Sequence, residues 1–347
     1  MKNIKLQSLV LVLSIVLLTP AARAQEESVP VAPISPETFQ GWTNAFRLQN
    51  ALIEVVIAPE VGRIVHLGFK GKDNLLRLDP GLTGKKPDPT QAWNNFGGDW
   101  LWPVSQSMWS VFDSKDWPPP SFLAEEPWTG TAWKNSDGSL LCLINRTYGD
   151  PLNIKVSRSI RMDKEKAAVT IRQRVERTAP SEIPVCLWNI SQIAQPDEIV
   201  FPVDTNSLFE NQYRVLNFGP PDTNALFLCE KTAVLQTVAG GEYKLGSDSS
   251  RAWVAARKGD ALIFEKAVPG DAAEGVHPDK GCTVELYSNR GLGYAEIETL
   301  SVEKTPDRDE SIENELTIEC FPIATNLAPC ELADRVRELI GETHPAE

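Results

Sequence analysis

The chain has 347 residues, with 47 Asp and Glu against 34 Lys and Arg and a formal net charge of −13 at pH 7. Its content of 42% hydrophobic and 23% charged residues is typical of a folded globular protein and excludes a disordered or fibrous chain. The acidic surplus argues against nucleic acid as a partner, because proteins that bind phosphate backbones present a basic face.

The N-terminus has the features of an export signal. Lys2 and Lys5 precede the apolar run 9–18, and a small-x-small cleavage site ends at Ala24. We therefore expect residues 1–24 to be a signal peptide cleaved near Ala24 and the protein to be periplasmic or secreted. The apolar run is too short to cross a bilayer as a helix, so no stable membrane anchor is predicted.

The next elements are those of a β protein behind a short leader. Residues 25–40 contain three prolines and few large apolar side chains, which predicts a leader linker. From residue 41 to residue 325, short apolar or alternating runs are separated by turns rich in Gly, Pro, Asp and Asn. The clearest pair of strands is an antiparallel hairpin in which Arg158 is the one charged residue on the otherwise apolar side of the first strand.

No helical unit recurs between these strands, which disfavours a parallel sheet with crossover helices. Only the segment 326–347 has a helical pattern, with an apolar stripe that ends at Gly341. No linker-like composition interrupts residues 41–325. The sequence predicts an all-β protein: one large antiparallel β-sandwich followed by a short C-terminal helix and tail.

Six cysteines in an exported chain allow disulfide bonds, and the sequence alone does not choose among their 15 pairings. Cys320 and Cys330 are close in sequence and separated by a turn that contains proline, which makes them the favoured pair. The chain has no CxxC motif and no Cys/His cluster, so we predict no metal site. A Gly-rich phosphate loop is absent as well, and we predict no cofactor.

Seven of the ten Trp fall between Trp93 and Trp133, in a Pro-rich segment without sustained alternation. One interpretation is a small core that holds a long loop in place. The other is a recognition surface, because an indole face matches the apolar face of a pyranose and nearby polar side chains bind its hydroxyls. On the second interpretation, the predicted substrate-binding residues of this segment are Asn95, Trp100, Trp102, Gln106 and Trp109.

Two carboxylates are candidates for acid–base chemistry. Glu296 and Glu298 are two residues apart on a predicted strand, so their side chains lie on the same face. In a poorly solvated cleft the pair would couple and one pKa would rise. Hydrolysis would need a partner from elsewhere in the chain, for which Asp99 is the candidate. The alternative is an ordinary solvated strand face.

At several points the chain resembles the DUF4380 family of domains of unknown function, which is related to the galactose mutarotase-like, or aldose 1-epimerase-like, supersandwich. The resemblance lies in the segments 41–44, 95–103, 187–192, 281–289 and 294–300. It implies a single antiparallel β supersandwich and adds Trp188, Asn189 and Gln192 to the predicted substrate-binding residues. Mutarotases of this fold use a His acid and a Glu base, and Glu298 occupies a similar place to that Glu. The chain departs from the pattern because no His lies near Trp188.

Three functions follow as hypotheses. The first is an exported carbohydrate-binding protein, with a neutral sugar favoured by the acidic charge balance; this hypothesis leaves open whether the protein also acts on the sugar by acid–base chemistry. The second is a sugar-active epimerase, glycosidase or lyase that uses Glu298 with Asp99 or His277. The third is a non-catalytic structural or interaction domain in which every Trp belongs to the core. The sequence leaves the sugar and the oligomeric state open.

Overall fold

β-Strands are the main regular element among the described residues. The computed structural model describes residues 29–112, 117–268 and 275–342, so the predicted signal peptide lies outside the described residues. The strands are β1 (Pro30–Ile34), β2 (Glu37–Phe39), β3 (Trp42–Gln49), β4 (Ile53–Ala58), β5 (Arg63–Phe69), β6 (Asp99–Trp102), β7 (Thr129–Asn135), β8 (Leu140–Tyr148), β9 (Ile154–Met162), β10 (Ala168–Arg177), β11 (Trp188–Ala194), β12 (Glu198–Pro202), β13 (Arg214–Asn217), β14 (Leu226–Cys229), β15 (Thr232–Gln236), β16 (Glu242–Ser247), β17 (Trp253–Lys258), β18 (Ala261–Ala267), β19 (Val284–Asn289), β20 (Tyr294–Leu300) and β21 (Ser311–Pro322).

These strands form two antiparallel sheets. The eleven-stranded sheet has the order β1-β7-β8-β9-β10-β21-β18-β17-β12-β15-β14, and the ten-stranded sheet has the order β13-β16-β19-β20-β11-β6-β5-β4-β3-β2. Helices are few and short: α1 (Ser121–Ala124), α2 (Pro278–Gly281) and α3 (Pro329–Leu339). Among the described residues no helix combines the length and apolar character needed to cross a membrane. The predicted fold class, an all-β supersandwich with a short C-terminal helix, is confirmed.

The main core lies between the two sheets. Ile64, Ile193, Leu286 and Ile297 enter it from the ten-stranded sheet, and Ile171 is among the side chains that meet them from the other sheet. Because side chains alternate along a strand, each strand of the ten-stranded sheet turns one set of residues to this core and the other set away from it. We call these the inner face and the outer face of that sheet.

The predicted leader linker is wrong for residues 30–39. Pro30–Ile34 pairs antiparallel with β7 at the edge of one sheet, and Glu37–Phe39 pairs with β3 at the edge of the other. Proline is tolerated on edge strands because one side of such a strand needs no ladder donors. The Pro-rich composition that indicated a linker is therefore compatible with two short edge strands.

The favoured disulfide pairing is also wrong. Cys229, at the end of β14, is bonded to Cys330 at the start of α3, across 101 residues of sequence. Cys320 lies on β21 and points into the core between the sheets, whereas α3 packs on the opposite side of that sheet. The two cysteines nearest in sequence are thus separated by the sheet itself.

We expect loss of the Cys229–Cys330 bond to lower the free energy of unfolding by about 2–4 kcal/mol, because the bond closes a long loop in the unfolded chain. The measurement is denaturant unfolding of the protein and of a Cys229→Ala/Cys330→Ala variant, each with and without dithiothreitol. Reductant should destabilise the parent protein and leave the double variant unchanged. Cys320→Ala is the control, and dithiothreitol should still destabilise it. If dithiothreitol did not lower the stability of Cys320→Ala, the Cys229–Cys330 pairing would be contradicted.

Candidate functional site

A polar network is buried between the two sheets. The Arg158 guanidinium, on β9, is paired with the Asp99 carboxylate, on β6, at 2.6 Å, and both side chains are fully buried. Asn189 and Ser191 of β11 donate to the same carboxylate at 2.7 and 3.0 Å. Both oxygens of the Asp99 carboxylate and both terminal nitrogens of the Arg158 guanidinium therefore replace lost hydration with hydrogen bonds, as a buried ion pair requires.

Glu265, on β18, completes this network. It accepts hydrogen bonds from Asn189, Ser191 and Thr299 at 2.8–3.1 Å. Burial, and to a smaller extent the charge of Asp99, raises the pKa of Glu265 to about 8. The carboxyl is therefore mostly neutral at pH 7, which leaves Asp99 and Arg158 as the charged pair of the network.

The structure separates Asp99 and Asn189 from the other predicted site residues. Both lie on the inner face, where they are sealed from solvent, whereas Glu296 and Glu298 lie on the outer face of the same sheet. The two faces alternate along each strand, so Asp99 and Glu298 cannot flank one bond of a substrate. The hypothesis that joins Glu298 to Asp99 is excluded by this placement.

The outer face carries what we call the glutamate cluster: Glu285, Glu296, Glu298 and Lys244. Glu285 and Glu298 are direct cross-strand neighbours on β19 and β20. The Lys244 ammonium, on β16, reaches both oxygens of Glu298 at 2.6 and 2.7 Å and lies 2.9 Å from Glu285. Trp188 donates its indole N–H to Glu298 at 2.8 Å. Glu298 is thus held by a cation and a neutral donor, and it is almost completely buried.

Glu296 faces a different set of groups. Gln192 donates to its carboxylate at 2.7 Å and accepts from the Arg77 guanidinium at 3.1 Å. Two hydrogen bonds position Arg77. Its main-chain N–H donates to the carbonyl of Gln192 on β11, and its guanidinium donates to the Asn95 carbonyl. The Arg77 guanidinium also lies 5.0 Å from the centre of the Tyr294 ring. This end of the outer face retains partial solvent exposure at Arg77, Asn95 and Glu296.

The electrostatics of the cluster follow from burial and like charge. Burial and the neighbouring Glu298 carboxylate raise the pKa of Glu296 to about 7. Burial raises the pKa of Glu285 well above its usual range, with Lys244 acting against the rise. The carboxylates around Lys244 outweigh its burial and raise its pKa, which keeps it protonated. Glu296 is therefore the group of this cluster that changes charge near neutral pH.

The Trp side chains that were predicted to bind a sugar form a small core instead of lining a groove. Trp100, Trp102 and Trp109 are at most 5% exposed, and Trp102 packs edge-on against Trp109 and Trp188. The expectation that these four rings present a face to a sugar is not met. They cover one end of the outer face instead, and the Arg63 guanidinium lies 4.1 Å from the Trp100 ring.

The remaining candidates are spread out. Asn95 is near the Tyr294 hydroxyl, at 3.4 Å, and Gln192 bridges Arg77 and Glu296. Gln106 begins a short 3₁₀ helix in the Trp-rich segment. His277 is buried, with Nδ1 3.1 Å from the Leu300 carbonyl oxygen. None of the predicted site residues lines the cavity of about 350 Å³ that lies beside Phe122, Tyr148 and Pro151.

Sequence reasoning gave a role to Glu296, Glu298 and Gln192 but missed Arg77 and Glu285. The sequence did contain an indication for Glu285, since it is a charged residue flanked by the apolar Val284 and Leu286 of one strand. It contained no such indication for Arg77, because that residue lies outside the regular strands. Within the described ranges, no group of three or more His, Cys, Asp or Glu side chains is arranged to hold a metal ion.

No family model matches the chain, and no curated protein matches it in sequence. Solved structures match its fold. A galactose mutarotase-like protein from Lactobacillus casei aligns with a TM-score of 0.53 and 10% identity over 80% of this chain and 100% of the other. The fold is galactose mutarotase-like. A galactose mutarotase-like protein from Clostridium acetobutylicum aligns with a TM-score of 0.52 and 12% identity over 84% of this chain and 99% of the other.

A TPR-domain containing protein from Parabacteroides distasonis has the same fold over part of its length. It aligns with a TM-score of 0.56 and 12% identity, covering 87% of this chain and 54% of the other. At these identities the likeness concerns the fold alone. The chemistry of this chain has to be argued from its own outer face.

The raised pKa of Glu265 predicts a specific dependence of stability on pH. A carboxyl whose pKa is higher in the folded state contributes stability that is fully present below its ordinary pKa of 4.5 and is lost as pH rises to about 8. In that window we expect Glu265 to lower the free energy of unfolding by about 1.4 kcal/mol for each pH unit. Glu265→Gln should remove this component of the slope.

The measurement is urea unfolding at half-unit steps from pH 5 to pH 9. Glu165→Gln is the matched control, because the Glu165 side chain is 77% exposed. If Glu265→Gln and the parent protein lost stability with the same slope, the neutral carboxyl would be disproved.

Proposed function

We propose that the protein is an exported carbohydrate-binding protein whose ligand site is the open end of the outer face, around Glu296, Gln192 and Arg77. The observation that carries this proposal is the chain of contacts from Arg77 through Gln192 to Glu296 on a partly exposed sheet face. A guanidinium, an amide and a carboxylate supply both donors and acceptors, which is what recognition of sugar hydroxyls needs. The galactose mutarotase-like fold supports a sugar-related function as an expectation from analogy.

A neutral sugar is favoured over an acidic one. The chain as a whole carries a net charge of −13, so its long-range field is negative. A carboxylated or sulfated sugar would approach against that field, whereas hydroxyl groups can both donate to the glutamates and accept from Arg77.

Glu296 is also suited to proton transfer on a bound sugar. Its pKa, raised to about 7, makes the carboxyl a base that is available near neutral pH. Lys244, held protonated by Glu298 and Glu285, supplies a fixed positive charge nearby. We propose interconversion of sugar anomers as the reaction that this pair of features fits best. Glu296, instead of Glu298, would take the proton of the anomeric hydroxyl as the bond between C1 and the ring oxygen breaks, and a water molecule would give the ring oxygen its proton.

Export and membership of the DUF4380 family are part of the same proposal. Export rests on the predicted signal peptide, and the Cys229–Cys330 bond supports it because disulfides persist in oxidising compartments. Membership rests on the segments that resemble that family.

The binding site is tested with Arg77→Ala. The exported protein, whose N-terminus should begin at Gln25, is titrated calorimetrically with glucose, galactose, mannose, xylose and their disaccharides. Because a hydrogen bond to a charged group contributes about 1.5–3 kcal/mol, the variant should bind the best ligand at least about tenfold more weakly.

Arg172→Ala is the matched control for that experiment. Arg172 is an arginine of the other sheet whose side chain is 74% exposed. Equal losses in the two variants, or no binding of any saccharide by the parent protein, would overturn the proposed site.

The acid–base role is tested by polarimetry of α-glucose and α-galactose from pH 5 to pH 9, with the buffer rate subtracted. If Glu296 acts as a base, the enzymatic rate should rise with pH through about 7, where the carboxyl loses its proton. Glu296→Gln should abolish the rate, and Glu165→Gln should leave it unchanged. A rate that survives Glu296→Gln would remove this residue from the mechanism, and saccharide binding without any rate would leave a binding protein only.

A further inference from the structure

Three aromatic side chains form a row on the outer face that the proposed sugar contacts do not use. Phe218, Tyr287 and Tyr294 follow one another with ring centres 5.9 and 5.8 Å apart. Tyr287 is the cross-strand neighbour of Glu296, and Tyr294 lies under the Arg77 guanidinium. The row therefore begins at the proposed site and leads away from it toward the β13 edge of the sheet.

Exposure increases along the row. Tyr294 is 7% exposed, Tyr287 is half-buried, and Phe218 is 51% exposed although it is a large apolar residue. Phe218 is also held with a positive φ of 65°, which is rare and unfavourable for a bulky side chain. The Asn217 side chain accepts from the Phe218 amide at 2.9 Å and stabilises this conformation. An exposed ring kept in a strained backbone conformation is more typical of a functional contact than of packing.

Polar groups border the middle ring. The Tyr287 hydroxyl donates to Glu242 at 2.7 Å and accepts from Asn289 at 3.1 Å. Both partners are partly exposed, so their remaining donor and acceptor positions can reach a ligand that lies over the ring. Apolar ring faces flanked by such groups match sugar units, which have an apolar face and hydroxyls at the edge.

We infer that this row extends the proposed site into a binding cleft for a linear oligosaccharide of about three units. This inference rests on the proposed carbohydrate-binding function and deepens it. Each step between ring centres is about the size of one sugar ring, so a monosaccharide would occupy the Glu296 end and leave Phe218 uncovered. Successive units of a chain would instead lie over Tyr287 and Phe218.

The tilt of the rings selects the form of the ligand. Tyr294 and Tyr287 are inclined by 49° to each other, and Tyr287 and Phe218 by 58°. A flat crystalline polysaccharide surface needs coplanar rings, whereas this twisted row fits a single soluble chain in which each unit is rotated relative to the last.

The experiment measures affinity against chain length. Glucose, galactose and xylose, and the linear di- to tetrasaccharides of each, are titrated calorimetrically into the purified protein and three variants. For one series we expect the affinity to rise at least about tenfold from the monosaccharide to the trisaccharide and then to level off. Phe218→Ala should remove most of this gain and change the monosaccharide affinity less than about twofold. Phe218→Tyr should keep the gain, because the ring is retained.

Leu208→Ala is the matched control, since Leu208 is an apolar side chain that is 92% exposed and lies outside the row. The inference fails alone if a monosaccharide binds but affinity does not depend on chain length, or if Phe218→Ala and Leu208→Ala have the same effect. It also fails if the protein binds crystalline cellulose more tightly than any soluble oligosaccharide. If no saccharide of any length binds, the proposed function fails as well.

Discussion

The contact between Asp99 and Arg158 is the constraint on which the arrangement of the two sheets depends. Neither side chain is exposed, so the charges are stabilised only by each other and by the amide and hydroxyl groups around them. Sliding one sheet by a residue would turn a charged group out of its partner's reach. Removing one member of a buried pair generally costs about 3–5 kcal/mol, because the other charge is left without compensation.

Strand alternation explains both what the sequence predicted well and where it failed. The spacing of Glu296 and Glu298 correctly placed them on one face, and Arg158 stood out as a charge on an apolar face. The same rule puts Asp99 and Trp100, which are consecutive, on opposite faces of β6. Which of these two side chains points into the core depends on Arg158, the partner of Asp99, which lies 59 residues later in the chain. No local pattern contains that information.

Two other errors had the same origin. The bond between Cys229 and Cys330 depends on α3 returning to the far side of a sheet, 101 residues after the first cysteine. The strand Pro30–Ile34 exists because β7 offers it an edge. The prediction of a sugar-binding surface from the Trp content was wrong for a related reason. Burial decides whether an aromatic ring packs in the core or is free to bind a ligand, and composition does not show burial. On the outer face, the rings of Phe218 and Tyr287 do remain accessible.

Phe218 follows β13, which is the last strand at one edge of the ten-stranded sheet. Changes of length at such an edge leave the ladders of the central strands intact, and the buried network lies on other strands altogether. Related chains could therefore gain or lose a ring at this edge while keeping Glu296, Gln192 and Arg77 in place. Proteins of this fold that differ in the length of the ligands they bind would then differ first in the sequence of the loop after β13, and only later in the central strands.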